Sequence, residues 1–395
     1  MSVIPEWGDS SGVGATADGE EREGAGLELL AIPDYTAVNP YQRKLEEGLA
    51  ERGVSVTTSE KGRWFPVLEA VHEHGKPDVL HVHFFHQVMV ASKFTPPWRG
   101  LLSVLMSVRL VGELLALRAL GVDVVWTAHD LLNHERDAVR TELAFKHLIV
   151  RFLCDDVIIH CPRAGDVLVD TYRLPERTRE KMTVIPHGHF IGEYPDDVSQ
   201  TEARERLDVP ADGPVFLFFG WIRRYKNVPL LVKTFSKLRD DDATLLVAGN
   251  PRTDGVEREV VEASRGDPRV HTRLEFVPDD EVQLYMNAAD AVVLPFRTGR
   301  QTLLTSGSAL LAMSFGKALV APQIGCIGDV LDENGGFCYP PSEPDALFEA
   351  LQDALSADLD AMGRYNYERV SAFDWDSIVD RTLGVYLDGS ATHDE

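Results

Sequence analysis

The stretch that decides the fold is Ala291–Pro322, AVVLPFRTGRQTLLTSGSALLAMSFGKALVAP. Its apolar ends read as two buried strands, Ala291–Pro295 and Ala318–Ala321. Between them lie a polar loop and a helix that begins near Ser306. The small residues Thr305, Ser306, Gly307 and Ser308 fall where that helix starts. Free backbone N–H groups and the positive end of the helix dipole meet there, which suits an anion such as a diphosphate. Arg297 and Arg300 add positive charge from the preceding loop. A second element of the same kind lies upstream, where the strand Val215–Phe219 runs into Gly220-Trp221-Ile222-Arg223-Arg224-Tyr225-Lys226-Asn227. Gly220 permits close backbone approach, and the cations that follow, Lys226 first and Arg223 second, suit a diphosphate. A solvated basic loop is the competing reading of that turn taken alone.

Working outward, strands alternate with helices along the whole chain, the pattern of parallel βαβ units. In the first half, strands are expected at Leu27–Pro33, Val54–Thr57, Asp78–Phe84, Val122–Ala128, Asp156–His160 and Val184–Pro186. Helices are expected at Asn39–Arg52, Leu101–Leu120 and Arg163–Tyr172. The acidic, proline-containing stretch Glu193–Pro214 reads as a hinge. Beyond Val215–Phe219 come a helix at Pro229–Leu238, strands at Ala243–Ala248 and Arg273–Val277, and a helix at Asp279–Asn287. A strand at Gly335–Tyr339, a helix at Pro344–Leu355 and one terminal helix over Asn366–Leu387 complete the pattern. The expected architecture is α/β, with two doubly wound Rossmann-like domains facing a cleft. They span residues 26–195 and 196–365, a helix over 366–388 returns to the first domain, and tails occupy 1–25 and 389–395. Ligands in such folds sit beyond the carboxyl ends of strands.

Those ends supply the remaining candidates. His129-Asp130 closes a strand: His129 suits a ligand contact, while Asp130 suits either a general base for a hydroxyl or a cap for the next helix. His81 and His83 share one strand face, and His83 and His86 lie near the strand end. His83 and His86 can line an acceptor site, and the absence of a carboxylate or cysteine at ligand spacing argues against a metal. His187-Gly188 ends another strand, Asn250 follows a third, and Asp34, Tyr35 and Asn39 form the first loop. The apolar stretch Phe94–Leu120, with Pro96, Pro97, Trp98, Arg109 and Arg118, reads as a core helix or as a lipid-facing surface.

Composition limits the function classes. The chain has 395 residues, enough for two full cores, and a formal charge of −24 with acidic residues spread throughout. Such a surface suits a high-salt cytoplasm, so loss of fold at low salt is expected of a halophilic source. It also argues against nucleic acid as a partner. The four cysteines form no C-x-x-C pair. Neither a secretory leader nor an uninterrupted apolar run of membrane-spanning length is apparent, and a cytoplasmic location is the expectation.

The segments GWIRRYKNVPLLVKTFSKL (220–238), LLVAGN (245–250), PHGH (186–189) and SGSALLAMSFGKALVAP (306–322) resemble the retaining, GT-B-fold glycosyltransferases of family 4 (group 1). The helix after FDW (373–375) fits as well. The resemblance implies a nucleotide-diphosphate sugar donor held by the second domain and a glycan or polyprenyl-linked acceptor by the first. It implies no obligatory metal; no cofactor is expected, and the apolar stretch Phe94–Leu120 gives peripheral association with the inner membrane face as a further expectation. The resemblance assigns donor binding to Gly220, Arg223, Lys226, Asn250, Arg297, Thr305, Ser306, Gly307 and Ser308, and the chemistry to His129 and Asp130. Asn39, His83, His187 and Gly188 would line the rest of the cleft. Two departures stand out. Trp221 occupies a position where family members commonly carry Arg, and Leu303 and Leu311 stand where paired glutamates are common. An SGS variant of the family fits these residues. A sugar-nucleotide epimerase and a non-catalytic sugar-binding subunit are the alternatives.

Overall fold

The computed structural model describes residue 24 and residues 26–59, 64–92, 94–95, 98–133, 135, 137–297 and 304–390. Arg300, Leu303, Pro96, Pro97, residues 1–23 and 25 of the first expected tail and residues 391–395 of the second lie outside the described residues. Packing divides the chain into two compact units. The first combines residues up to His129 with Glu135–Pro186 and Trp375 onward; the second combines Asp130–His134 with His187–Asp374.

The first unit holds a six-stranded sheet. Its strands are β1 (Glu28–Ile32), β2 (Ser55–Thr58), β3 (Val79–Val82), β4 (Asp123–Thr127), β5 (Asp156–Ile159) and β6 (Met182–Val184). Every pairing is parallel and the order is β2-β1-β3-β4-β5-β6. β3 and β4 are buried along their full length, which is why they read as continuous apolar runs. The strand order reverses between β1 and β3, so loops leaving their carboxyl ends part there and open a crevice. Asn39 begins the helix Pro40–Glu51, its side chain accepting from the Tyr41 N–H at 3.1 Å. Arg52, at the end of that helix, pairs with Asp376 and Asp380 and ties the helix Trp375–Ser390 to this unit.

The second unit repeats the plan with β7 (Val215–Phe219), β8 (Thr244–Ala248), β9 (Val270–Arg273), β10 (Ala291–Val293), β11 (Ala318–Pro322) and β12 (Gly336–Tyr339). These are again all parallel, in the order β12-β11-β10-β7-β8-β9. The reversal falls between β7 and β10, the two strands that the sequence ends with Gly220 and with Leu294–Arg297. Phe216, Phe218, Leu231, Val232 and Phe235 form part of the core that fixes β7 against the helix Val228–Phe235.

Several expectations are corrected. β9 lies earlier than Arg273–Val277, because Val270 and His271 supply the ladder bonds to Leu245 and Leu246. The stretch Glu193–Pro214 contains the helix Gln200–Leu207, capped by Ser199, whose buried Arg204 bonds the Ala288 carbonyl and Asp290. The terminal stretch is two helices, Leu359–Ser371 and Trp375–Ser390, rather than one. Also unread were the helices Pro66–His74, Val139–Phe152 and Asp254–Ser264 and the short Phe85–Met89 and Ile327–Val330.

The helix over Phe94–Leu120 runs from Trp98 to Ala119 and is long and apolar enough to cross a membrane by length and composition alone. Ser103, Ser107, Leu110, Glu113, Leu114 and Leu117 form its buried stripe, so it belongs to the helical layer of the first unit. Its other face is not core. Trp98, Leu101, Leu105 and Val108, spaced three and four apart, and Leu115, seven further on, are each more than half exposed.

Candidate functional site

In the second unit, Gly220 leaves β7 with φ of +104°, a conformation that favours glycine. A Cβ on Gly220 would lie 3.4 Å from Lys226 Nζ and 4.0 Å from Ser308 Oγ, which shows how closely the three converge. Lys226 Nζ donates to Ser308 Oγ at 3.4 Å. Two halves distant in sequence, the Gly220–Asn227 turn and the start of the helix Gly307–Ser314, are thereby joined. Ser306 caps that helix by accepting from the Ala309 N–H. Its hydroxyl is thus spent on the helix, leaving Gly307 and Ser308 at the helix mouth.

Lys226 is buried, yet among the described residues it forms no ion pair. Loss of hydration, with a smaller contribution from the charge of Arg223, pulls its ammonium down to about 8. The ring faces of Phe218 and Phe296, 5.6 and 5.8 Å away, support the cation without neutralising it. The site is a buried positive charge at the mouth of a helix.

The surrounding loops are held firmly. Arg297 donates from its backbone N–H to the Tyr225 carbonyl at 2.8 Å and from Nε to Asn227 Oδ1 at 3.0 Å. It therefore braces the turn while keeping its charge beside it. Arg224 points away and faces Glu259 at 3.9 Å, which leaves Arg223 as the second cation of the turn. The Asn250 carbonyl accepts from the Ile222 N–H and fixes the turn's far side. His187 bonds the Gly188 carbonyl at 2.8 Å and stacks edge-on to Phe190, whose N–H donates to Ser314 Oγ on the cradle helix. Thr305 is half-buried ahead of the cap, and Leu311 is half-buried on the helix.

In the first unit, the strand ends gather histidines. His83 Nδ1 and His129 Nε2 are 3.4 Å apart, and His129 Nδ1 lies 3.2 Å from His160 Nε2. His160 Nδ1 donates to the Ile185 carbonyl at 2.9 Å. Tyr41 packs edge-on against His129 and His160 and touches Trp375. His81, two residues before His83, is instead satisfied on both nitrogens, by Thr127 Oγ1 at 2.7 Å and Tyr386 Oη at 2.6 Å. Burial holds His81, His83 and His160 neutral, His83 at about 3 and His160 at about 4.

Asp130 follows β4 and groups with the second unit. It does not cap the next helix, which starts at Val139 behind Ala138. Asn39 spends its side-chain oxygen on its own helix, while Gln42 pins the first loop by bonding the Pro33 carbonyl and the Tyr35 N–H. Among the described residues no group of three or more His, Cys, Asp or Glu is arranged to hold a metal.

His160, Gln42, Phe296 and Gly249 were missed. His160 ends β5 as His129 ends β4, and that shared strand-end position was the available signal. Gly249 sits in LLVAGN, where the glycine after an all-buried strand marks a close backbone approach.

Residues 213–357 match the family model of glycosyl transferases group 1. The GDP-mannose:glycolipid 4-beta-D-mannosyltransferase of Xanthomonas campestris is 26% identical over 322 residues, covering 81% of this chain and 80% of its own. The D-inositol 3-phosphate glycosyltransferase of Salinispora tropica is 28% identical over 354 residues, covering 82% and 67% respectively. Among solved structures, the sucrose-phosphate synthase of Thermosynechococcus elongatus superposes with a TM-score of 0.70 at 20% identity, over 93% of this chain and 99% of that one. HepE of Anabaena in complex with UDP-glucose gives 0.67 at 15% identity, over 91% and 99%. With its two parallel six-stranded sheets and this set of relatives, the chain is a glycosyltransferase with the GT-B fold, similar over residues 213–357 to glycosyl transferases group 1.

Proposed function

We propose that the chain transfers a hexosyl group from a nucleoside-diphosphate sugar to a glycolipid or polyprenyl-linked glycan. The buried, unpaired Lys226 carries the donor half of this reading. Negative charge grows on the diphosphate as the sugar leaves, and Lys226, Ser308 and the helix mouth stabilise it where water is excluded. Arg223 and Arg297 add charge from either side. The relative from Xanthomonas, whose name specifies GDP-mannose and a glycolipid, supports a hexose donor and a lipid-borne acceptor.

The test is turnover with UDP-glucose and GDP-mannose, each offered with a polyprenyl-linked oligosaccharide. Nucleoside diphosphate and extended glycolipid should appear in equal amounts. An α-linked product from an α-linked donor would show the retention that the sequence resemblance implies, and a β-linked product would show inversion. Absence of transfer from either donor would reject the hexosyl reading.

The exposed stripe Trp98–Leu115 supports the lipid side of the proposal. Arg109 donates to the Trp64 carbonyl and Arg99 to the Phe94 carbonyl, which brings the exposed Trp64, Phe65 and Phe94 beside the stripe. Apolar and tryptophan-bearing surfaces of this kind bind in the headgroup region. The chain should therefore sediment with vesicles of phosphatidylglycerol and phosphatidylethanolamine, and Leu101→Glu with Leu105→Glu should release it while leaving donor binding unchanged. Sedimentation unaffected by the double change would exclude this face.

A further inference from the structure

The histidine row of the first unit has a direction. The Ile185 carbonyl can only accept, so His160 Nδ1 carries the proton and donates to it. Neutral His160 then has a bare Nε2, which accepts from His129 Nδ1. A His129 ring carrying one proton has spent it there, so its Nε2 accepts from His83 Nδ1. Neutral His83 is left with a bare Nε2, buried and without a hydrogen-bond partner. A buried acceptor with nothing to accept is unfavourable, and such atoms in native folds invite a functional explanation. His81 shows the contrast: it shares the strand face and has both nitrogens filled.

We propose that His83 Nε2 is the proton acceptor of the first unit, and that His129 and His160 are positioning residues that fix its tautomer and draw charge away from it. The proposal rests on the transferase reading above. The acceptor O–H bond breaks as its proton passes to His83 Nε2, and the oxygen's electron pair forms the new bond to the anomeric carbon. The sugar–diphosphate bond breaks with its electron pair remaining on the diphosphate. His83 Nδ1 releases its proton to His129 Nε2, leaving His83 neutral and the charge on His129. A proton taken up at His83 Nε2 preserves every hydrogen bond of the row. His129, taken in the sequence as the reacting histidine, instead acts through its neighbour.

Two measurements test this. Imidazole ¹⁵N NMR on the full chain, with signals assigned from single-histidine variants, should show His83 and His160 protonated on Nδ1 and bare on Nε2 at neutral pH. A proton on His83 Nε2 would overturn the proposal, whatever the chain's activity. The second compares His83→Asn with the parent in diphosphate release from UDP-glucose or GDP-mannose. Asn keeps a donor toward His129 Nε2 but removes the terminal acceptor. The variant should lose about 100-fold or more in kcat with KM unchanged, while the His129 tautomer signal persists. A kcat within twofold of the parent would also overturn it. A chain that turns over neither donor would reject the transferase reading, and the NMR result would still judge the row.

Discussion

Replacing Lys226 by Met should lower kcat/KM by roughly 10²- to 10³-fold, the scale associated with removing one preorganised donor to a developing anion. Met keeps most of the side-chain volume between Phe218 and Phe296, so the loss would be one of charge rather than packing. The variant should also cease to be stabilised by UDP or GDP, because only a ligand that binds the native state raises the melting temperature. The pH dependence follows from the depressed ammonium, at about 8. Between that value and the ordinary lysine range, the unfolded chain binds the extra proton, so stability without nucleotide should rise with pH across the window. Nucleotide affinity should move the opposite way, falling as pH rises through about 8, because the diphosphate binds the protonated form. Both slopes should vanish in Lys226→Met. Retention of the parent's nucleotide-induced shift in that variant would remove Lys226 from the donor site.

Gly249→Ala should be the most damaging small substitution in the second unit. Gly249 follows β8 with φ of +145°, and a Cβ there would lie 2.0 Å from the Gly220 carbonyl oxygen. Backbone faces backbone at that point, so no side chain can turn aside. The chain must either break the bond from the Gly220 N–H to the Ala248 carbonyl or displace Gly220 itself, the residue beside Lys226 Nζ. A loss of about 4 kcal/mol or more is expected, the range reserved for gross steric conflict, together with loss of nucleotide binding. Gly112→Ala is the matched control. It lies inside the helix Trp98–Ala119 with nothing within 4 Å of its added Cβ, and should gain about 0.5–1 kcal/mol from helix propensity. Equal melting temperatures for Gly249→Ala and the parent would contradict the close approach.

The fold was legible because its strands are buried on both faces. VFLFF, TLLVA and DVVWT are continuous apolar runs that only a covered parallel sheet accommodates, and β7 was placed to the residue. What escaped was amphipathic or polar. Gln200–Leu207 is dominated by charge, and its role depends on Arg204 reaching Asp290, a partner far along the chain. β9 is only half-buried and offers little alternation to read. The break between Ser371 and Trp375 carries no proline or glycine, so the two terminal helices ran together as one.

The donor half of the site was legible for a similar reason. Gly220, Lys226 and Ser308 are local features, each at a strand end or helix start, and the topology brings them together. The histidine row was only partly legible. His83 and His129 could be placed at strand ends, but which nitrogen bonds which depends on Ile185 and His160, and that is a property of packing. The exposed face of Trp98–Ala119 was ambiguous in sequence because apolar residues run all round the helix. Only burial separates the stripe at Ser103, Ser107 and Leu110 from the face at Leu101, Leu105 and Val108.

The most direct measurement for the central claim is a crystal structure of the chain with UDP or GDP bound. The account predicts a diphosphate oxygen within about 3 Å of Lys226 Nζ, the length of a charge-assisted hydrogen bond, with the same phosphate facing Ser308 and the start of the helix Gly307–Ser314. A diphosphate bound elsewhere, with Lys226 still buried and unpaired, would contradict it.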